Sequence, residues 1–450
     1  MFRLYLYTFL IILFIVASLF PNHILFLFIG ITANITIFVS LFHARGLYLY
    51  SGIIFYIVGV ILFFTNDLTL ESFFLQFDSM LGMLSLFMVL PFLNSLILVG
   101  RYDKHLRSLL EQKVHHLGDL YKRGGIVTHI LGLFLNIATI PLLIQSLRHS
   151  LKNYSKKFTD KYYTNNLLRA YALCLMWSPM EIMIIKSLEI TDSDYIIIVP
   201  FLIIFTSFML YLDTTFGKRK YAHIPIENTD GSLSIHRIIK KIAELFMLLL
   251  LLVVAVTILN YIVGQGYLFS LVLLIIPISF IWAMKIRKMK RYIVYVIPNW
   301  KRNTMGQANL FFMFLTAGFF VNMVSETKVL AILQHIFTAV STQTLYLYIL
   351  IGLYFLITAF IGFHPLVSIV LLAEILQPVL SEISSIPLAF VLIICSLSTV
   401  MYSPFNVSLS ILSNIIKRNS FQVSFWNLPF SLFLITISII FAYFMHFIFH

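Results

Sequence analysis

The sequence predicts an all-α polytopic membrane protein built from two inverted repeats, with about 11 transmembrane helices, two re-entrant hairpins and one broken helix in each half. Three observations carry that reading. The chain is 60% hydrophobic and only 11% charged, with 44 Phe and a mean hydropathy of +0.97. Apolar runs of about twenty residues recur from end to end, the length needed to cross a hydrocarbon core of roughly 30 Å. The segment Met401-Tyr402-Ser403-Pro404-Phe405-Asn406 has a twin in Met176-Trp177-Ser178-Pro179-Met180-Glu181, and Trp177 stands 225 positions before Tyr402, half of the 450-residue chain.

The flanks keep nearly the same register. Residues 86–92 lie over 312–318 with the same apolar profile at a shift near 226, and Gly132 lies over Gly362 at a shift of 230. Proline removes a backbone donor and clashes with the preceding turn, so each Ser-Pro interrupts its helix. In lipid the freed carbonyls need partners in protein or in a water-filled cavity, which makes a polar break a candidate site.

Taken in order, residues 4–20, 24–42 and 47–64 are three spans, with Arg3 and Arg45 marking cytoplasmic ends. The first is read as a retained helix, because no small-residue cleavage site follows it. Asp67, Glu71 and Asp78 place the next loop outside. A fourth span, 80–99, returns to a basic segment, 101–123, that suits an amphipathic helix on the inner surface. The apolar run 124–147 has positive charge at both ends, so it is read as a re-entrant hairpin of two short arms turning near Asn136. Residues 167–190 form the first broken helix and 195–212 return inward. The polar stretch 213–241, with Lys218-Arg219-Lys220 and Asn228-Thr229-Asp230-Gly231, reads as a cytoplasmic linker.

The second half opens with a helical pair, 244–263 and 267–284, ending in the basic run 285–291. Residues 309–324 cross outward, an interfacial segment covers 326–342, and the apolar run 345–380 is broken at Gly362-Phe363-His364-Pro365 as a second hairpin. The second broken helix, 387–416, runs inward, and 421–449 carries the C-terminus out. The domain plan is therefore N-terminal scaffold helices at 1–66, repeat 1 at 80–212, a linker at 213–241, a second scaffold pair at 242–291 and repeat 2 at 307–449. This topology puts all but Lys186 and Lys328 of the 31 Lys and Arg inside, which satisfies the positive-inside rule with the N-terminus in the cytoplasm. The net charge of +13 is thus a membrane-topology signal, not a nucleic-acid footprint. Cys174 and Cys395 both sit in apolar runs and suggest neither a disulfide framework nor a thiolate metal site.

Inverted halves, each with a hairpin followed by a Ser-Pro-broken helix, resemble the ion transporter superfamily: divalent anion–sodium symporters, arsenite-efflux permeases and the large subunit of tripartite permeases. The resemblance covers about residues 80–212 and 309–449. It implies a secondary active transporter of the bacterial inner membrane, working by an elevator motion as a homodimer, with a small anionic organic solute coupled to sodium or protons. The chain departs from the sodium-coupled dicarboxylate members in having no clean Ser-Asn-Thr clusters at tips and breaks, which marks a divergent branch.

The candidate solute-binding residues are Ser178, Pro179, Ser403, Pro404 and Asn406 at the breaks, and Asn136, His364 and Pro365 at the tips. One Ser-Pro alone is explained by an ordinary kink; symmetric duplication favours a functional break. Glu181 is the leading ion-coupling residue, since an ionised carboxylate at the bilayer centre costs several kcal/mol and is retained for function. The plain alternative is a neutral glutamate hydrogen-bonded to the break. Glu374 is the second intramembrane acid. Asn309 and Ser368 are weaker candidates, Lys186 and Glu189 are read as interfacial, and His115, His116 and His129 as an interfacial face and not a metal site. No cofactor is implied beyond a coupling ion, and the partners are lipids and the solute. No nucleotide loop, zinc-protease motif or soluble catalytic domain points to an enzyme. A flippase for a lipid-linked or amphiphilic substrate, or less readily a membrane enzyme of lipid-linked glycan assembly, remains the alternative.

Overall fold

A computed structural model describes residues 1–66, 68–111, 114–226, 235–325 and 327–449. It is helical throughout the described residues, with 13 helices long and apolar enough to cross a membrane. Asp67, Lys113, the Asn228–Gly231 cluster and Glu326, all used in the sequence reading, lie outside the described residues.

Helices α1 (Phe2–Leu19), α2 (His23–Leu41) and α3 (Leu47–Thr65) fall within two residues of the predicted spans. Asn22 starts α2 by accepting the Ile24 N–H with its side chain at 2.9 Å, the usual service of an N-cap asparagine. A short α4 (Leu70–Phe74) precedes α5 (Leu81–Gly100). The predicted amphipathic helix at 101–123 is not formed as one element. After Arg101, held at φ 62, α6 covers only Tyr102–Arg107, and a tighter turn follows at Ser108–Glu111. Lys122 and Arg123 belong to α7 (Leu117–Leu135), which turns at Asn136 into α8 (Thr139–Leu147).

The first hairpin is thus lopsided, with arms of 19 and 9 residues in place of two equal ones, and at 1.5 Å per residue the first arm is roughly 28 Å long. The helix runs through Gly124, Gly125 and Gly132 without a break. A Cβ on Gly132 would lie 2.4 Å from Cys174 Sγ, so the missing side chain there permits close helix packing.

The first broken helix also begins early. It runs from α9 (Lys156–Tyr163) through a π-helical stretch at Thr164–Leu168 into α10 (Arg169–Leu175), and resumes after the break as α11 (Ile182–Thr191). The predicted linker is helical at both described ends, because α12 spans Tyr195–Tyr221 and α13 spans Ile235–Val263. On α12, Gly217 leaves room for the Tyr121 ring, whose hydroxyl donates to Asp213 Oδ2 at 3.1 Å. That packing carries the helix past its apolar end.

Next come α14 (Tyr267–Lys285), the unpredicted α15 (Met289–Met305), α16 (Ala308–Ser325) and α17 (Lys328–Thr338). The stretch read as the second hairpin forms α18 (Thr344–Ile361) and α19 (Pro365–Leu376), joined at Gly362, of 18 and 12 residues. Then α20 (Ser385–Tyr402) and α21 (Val407–Ile416) flank the second break, and α22 (Ser420–Phe449) closes the chain.

Two compact units result. The first comprises residues 1–100, 248–336 and 370–377. At its centre α3 packs on α16, where Gly52 and Gly59 face the rings of Phe312 and Phe319; a Cβ at either glycine would come within 2.7 Å of a ring carbon. The leading helix of each repeat, α5 and α16, therefore belongs with the N-terminal helices. The second unit comprises residues 101–247, 337–369 and 378–450 and contains both helix breaks and both hairpin turns.

Candidate functional site

The two breaks have the same backbone turn. In the first, the Ser178 carbonyl accepts the Glu181 N–H at 3.1 Å; in the second, the Ser403 carbonyl accepts the Asn406 N–H at 3.1 Å. Each is a Ser-Pro-x-polar turn with proline at its second position, where the ring's fixed φ is already correct. Ser403 is extended (φ −73, ψ 118), as a residue before proline is driven to be. The polar fourth residue then begins the next half-helix: Glu181 is the N-cap of α11 and Asn406 of α21, both extended. Asn406 Oδ1 accepts the Ser408 N–H at 2.9 Å.

The carbonyls released by these turns are taken up in matching ways. Tyr195, the first residue of α12, donates its hydroxyl to the Trp177 carbonyl at 2.6 Å. Ser424, in the first turns of α22, donates to the Tyr402 carbonyl. In both halves, therefore, the helix that follows the broken one supplies a hydroxyl to the carbonyl two residues before the proline. This meets the demand that no backbone group be left bare in lipid.

Other side chains hold the breaks in place. Trp177 Nε1 donates to His129 Nε2 at 3.0 Å, and His129 Nδ1 lies 3.3 Å from the Ala170 carbonyl. An imidazole that accepts at Nε2 and donates at Nδ1 is the neutral tautomer with its proton on Nδ1. His129 is thus a buried residue tying α7 to the first break, not part of an interfacial face as its sequence neighbours suggested. The Ser403 hydroxyl donates to the Ala359 carbonyl at 3.0 Å, tying the second break to α18. Gly362 faces the Phe405 ring, 3.8 Å from where a Cβ would stand.

A polar group joins the first hairpin turn to both broken helices. Asn136, at φ 50, points its Oδ1 at its own turn, accepting the Ile137 N–H at 2.7 Å. The same oxygen accepts the Tyr171 hydroxyl at 2.5 Å. Ser408, just past the second break, and Glu181 lie near Tyr171. Glu181 itself is half-buried, while Ser178 and Ser403 are buried.

The remaining candidates are placed elsewhere. His364 Nδ1 accepts the Leu366 N–H at 3.3 Å, so His364 caps α19, with Pro365 as its first residue. Glu374 belongs to the first unit, where its backbone carbonyl accepts Gln334 Nε2 at 2.9 Å. Asn309 Oδ1 accepts the Arg45 N–H at 2.8 Å, the Ser368 carbonyl accepts the Tyr354 hydroxyl at 2.8 Å, and Lys186 pairs with Glu189 at 3.0 Å. Among the described residues no group of three or more His, Cys, Asp or Glu is placed to hold a metal ion.

Sequence reasoning missed Tyr171, Ser408, Tyr195 and Ser424, whose only mark was a hydroxyl within or beside an apolar run. It also missed a buried charged cluster beside the π-helical stretch. Arg169 reaches Asp213 Oδ1 at 2.8 Å and Asn427 Oδ1 at 2.9 Å, with its guanidinium 4.6 Å from the Phe430 ring centre. Arg418 pairs with Asp160 at 2.6 Å. Both arginines staple ends of the broken-helix segments to their neighbours.

No family model matches the chain, and no curated protein matches it. Among solved structures it is similar to the crystal structure of the Alcanivorax borkumensis YdaH transporter, described as having an unusual topology. The TM-score is 0.54 at 14% identity, over 88% of this chain and 96% of the other. At that identity the likeness speaks for the fold alone, and the chain shares the polytopic all-α fold of that structure.

Proposed function

We propose that this protein is a secondary active transporter of the cytoplasmic membrane, moving a small anionic organic solute by an elevator motion and coupled to protons or sodium. The observation that carries the reading is the pair of Ser-Pro turns with matched hydrogen bonds, Ser178 to Glu181 and Ser403 to Asn406, both within one compact unit. Discontinuous helices that end at a common polar site are how secondary transporters hold solute and ions. The N-termini of α11 and α21 open at these turns and present their positive dipole ends to an anion. Glu181 is the coupling group, and Ser178, Ser403, Asn136, Tyr171 and Ser408 line the solute path. The fold shared with a protein described as a transporter supports the class. A divergent branch of the ion transporter superfamily, a homodimeric assembly, and an inside N-terminus with an outside C-terminus belong to the same proposal.

Reconstitution into proteoliposomes tests it. Uptake of a solute found by thermal-shift screening of organic and inorganic anions should respond to an imposed proton or sodium gradient. A flux indifferent to every ion gradient would remove the coupling.

One observation favours the flippase as a second reading. An apolar groove of about 410 Å³ runs between α18 and α22, lined by Leu345, Ile349, Gly352, Leu353, Ile435 and Ile439. It suits an acyl chain, but Thr436 alone offers a polar group to a headgroup. Stabilisation by lipids only, with no soluble anion effective, would favour this reading.

A further inference from the structure

Helix α15 (Met289–Met305) has a packed side and an uncovered side that together specify a surrounding. One face is packed within its own unit. Tyr292 and Val296 are fully buried, Tyr292 donates its hydroxyl to the Phe92 carbonyl at 3.0 Å, and Asn299 Nδ2 donates to Ser95 Oγ at 2.9 Å, so the helix lies along α5. The uncovered side carries aliphatic residues: Val294 is 74% exposed, Ile297 43% and Ile293 37%. It is also basic. Lys290, Arg291, Lys301 and Arg302 are all exposed and form no ion pair among the described residues. No acidic residue falls between Lys285 and Gln307.

The spacing aligns these charges. Eleven residues make just over three full turns, so Lys290 stands nearly in line with Lys301, and Arg291 with Arg302, each pair roughly 16 Å apart along the axis. Lys290 and Lys301 fall between Val294 and Ile297 around the helix, while both arginines lie together on the Val294 side of that stripe. A helix whose uncovered side carries aliphatic side chains with long cationic ones among and beside them, able to snorkel to the headgroups, has the make-up of an element lying in the plane of a membrane interface. Aqueous anions explain the charges but not the bare Val294 and Ile297. Anionic phospholipid explains both, since its phosphates meet the cations and its acyl chains the aliphatic side chains.

We propose that α15 is a binding surface for anionic phospholipid headgroups, lying in the interface with Ile293, Val294 and Ile297 in the acyl boundary and Lys290, Arg291, Lys301 and Arg302 on the phosphates. This is independent of the solute site and of the transport reading. The seat is on the first unit, where α5 and α1 back the helix.

Two measurements test it on the full chain. The first compares unfolding temperatures in nanodiscs of phosphatidylcholine alone and with phosphatidylglycerol added. The unmodified protein should melt higher with phosphatidylglycerol, by a margin that shrinks as salt is raised. A variant with Lys290, Arg291, Lys301 and Arg302 changed to Gln should lose most of that margin. A control with Lys152, Lys156, Lys157 and Lys161 changed to Gln should keep it. Equal loss in the two variants, or no effect of phosphatidylglycerol, would overturn the proposal. So would an equal rise on adding inorganic phosphate to phosphatidylcholine discs, which would show a soluble-anion site.

The second places a polarity-sensitive dye on Val294→Cys. The two native cysteines are buried, so labelling reports this position. In vesicles containing phosphatidylglycerol the dye should shift to the blue and be quenched by a quencher carried on the lipid chains. A dye that stays water-like and unquenched would show that the helix does not enter the interface.

Discussion

The hydroxyl of Tyr171 donates to Asn136 Oδ1 at 2.5 Å, joining the last turns before the first helix break to the turn of the first hairpin. The same tyrosine neighbours Ser408, just beyond the second break. One side chain thus ties the first broken helix to the turn of the first hairpin, with Ser408 of the second broken helix nearby.

Tyr171→Phe should therefore uncouple these segments at modest cost to the fold. Asn136 Oδ1 keeps the Ile137 N–H, so the loss is one buried hydrogen bond, about 1 kcal/mol. The unfolding temperature should fall slightly, while solute-induced stabilisation should fall by much more. A variant that melts lower but retains full solute response would make Tyr171 structural only.

Glu181→Gln keeps the shape and the hydrogen-bonding capacity of an N-cap residue while removing the titratable proton. Solute-driven stabilisation in the unmodified protein should vary with pH if Glu181 carries the coupling proton, and should become flat in Glu181→Gln. Glu181→Asp should retain a pH response. An unchanged pH profile in Glu181→Gln would move the coupling group elsewhere.

Gly362 sits at φ +110 with the Phe405 ring beside it, a backbone region that L side chains scarcely enter. Gly362→Ala should cost about 1–3 kcal/mol from backbone strain, read as a lower unfolding temperature. The effect should persist in Gly362→Ala combined with Phe405→Leu, because the strain is in the backbone and not in the ring contact. Full rescue by the double variant would assign the cost to packing.

Arg169 and Asp213 form a buried pair whose side chains are 16% and 5% exposed. Removing one partner strands the other charge, so Asp213→Leu should destabilise by about 3–5 kcal/mol. The double change to Arg169→Met with Asp213→Leu should recover much of the loss. A double variant as unstable as the sum of the single ones would show that the Asn427, Tyr121 and Phe430 contacts, and not the charge pair, dominate.

Trp177→Phe removes the donor to His129 while keeping an aromatic ring. It should leave His129 with an unsatisfied acceptor and lower stability by about 1–3 kcal/mol. His129→Gln, which restores an acceptor within reach of Trp177, should cost less than His129→Phe. Equal losses in the two histidine variants would show that the ring's packing matters and its nitrogen does not.

Much of this fold was legible because membrane helices are governed by local chemistry. Twenty apolar residues suffice to mark a span, and α1, α2, α3, α14 and α16 follow the predicted spans within about two residues at most ends. The breaks were equally legible. Proline acts on its own turn, so Ser178-Pro179 and Ser403-Pro404 dictate where α10 and α20 yield without reference to distant residues. Glycine and asparagine likewise marked the turns at Gly362 and Asn136, whose positive φ values only a few residue types accept.

Where polar residues were read as helix ends, tertiary contact decided otherwise. Helix α12 continues through Asp213 because Arg169 and Tyr121 satisfy its carboxylate, and α7 begins before Gly124 because its glycines are places where neighbouring helices come close. Helix α15 was hidden because its charges outweigh its apolar residues in any average, although they share one turn-by-turn pattern. The sequence by itself determined the membrane class, the spans, and the two matched interruptions, since hydropathy and the proline ring act within a few residues. Only the tertiary structure decided which hydroxyl serves each freed carbonyl, that Tyr195 and Ser424 play the same part in the two halves, and that Glu374 does not share a unit with Glu181. Those outcomes depend on which helices pack together, and packing is set by side chains far apart in the chain.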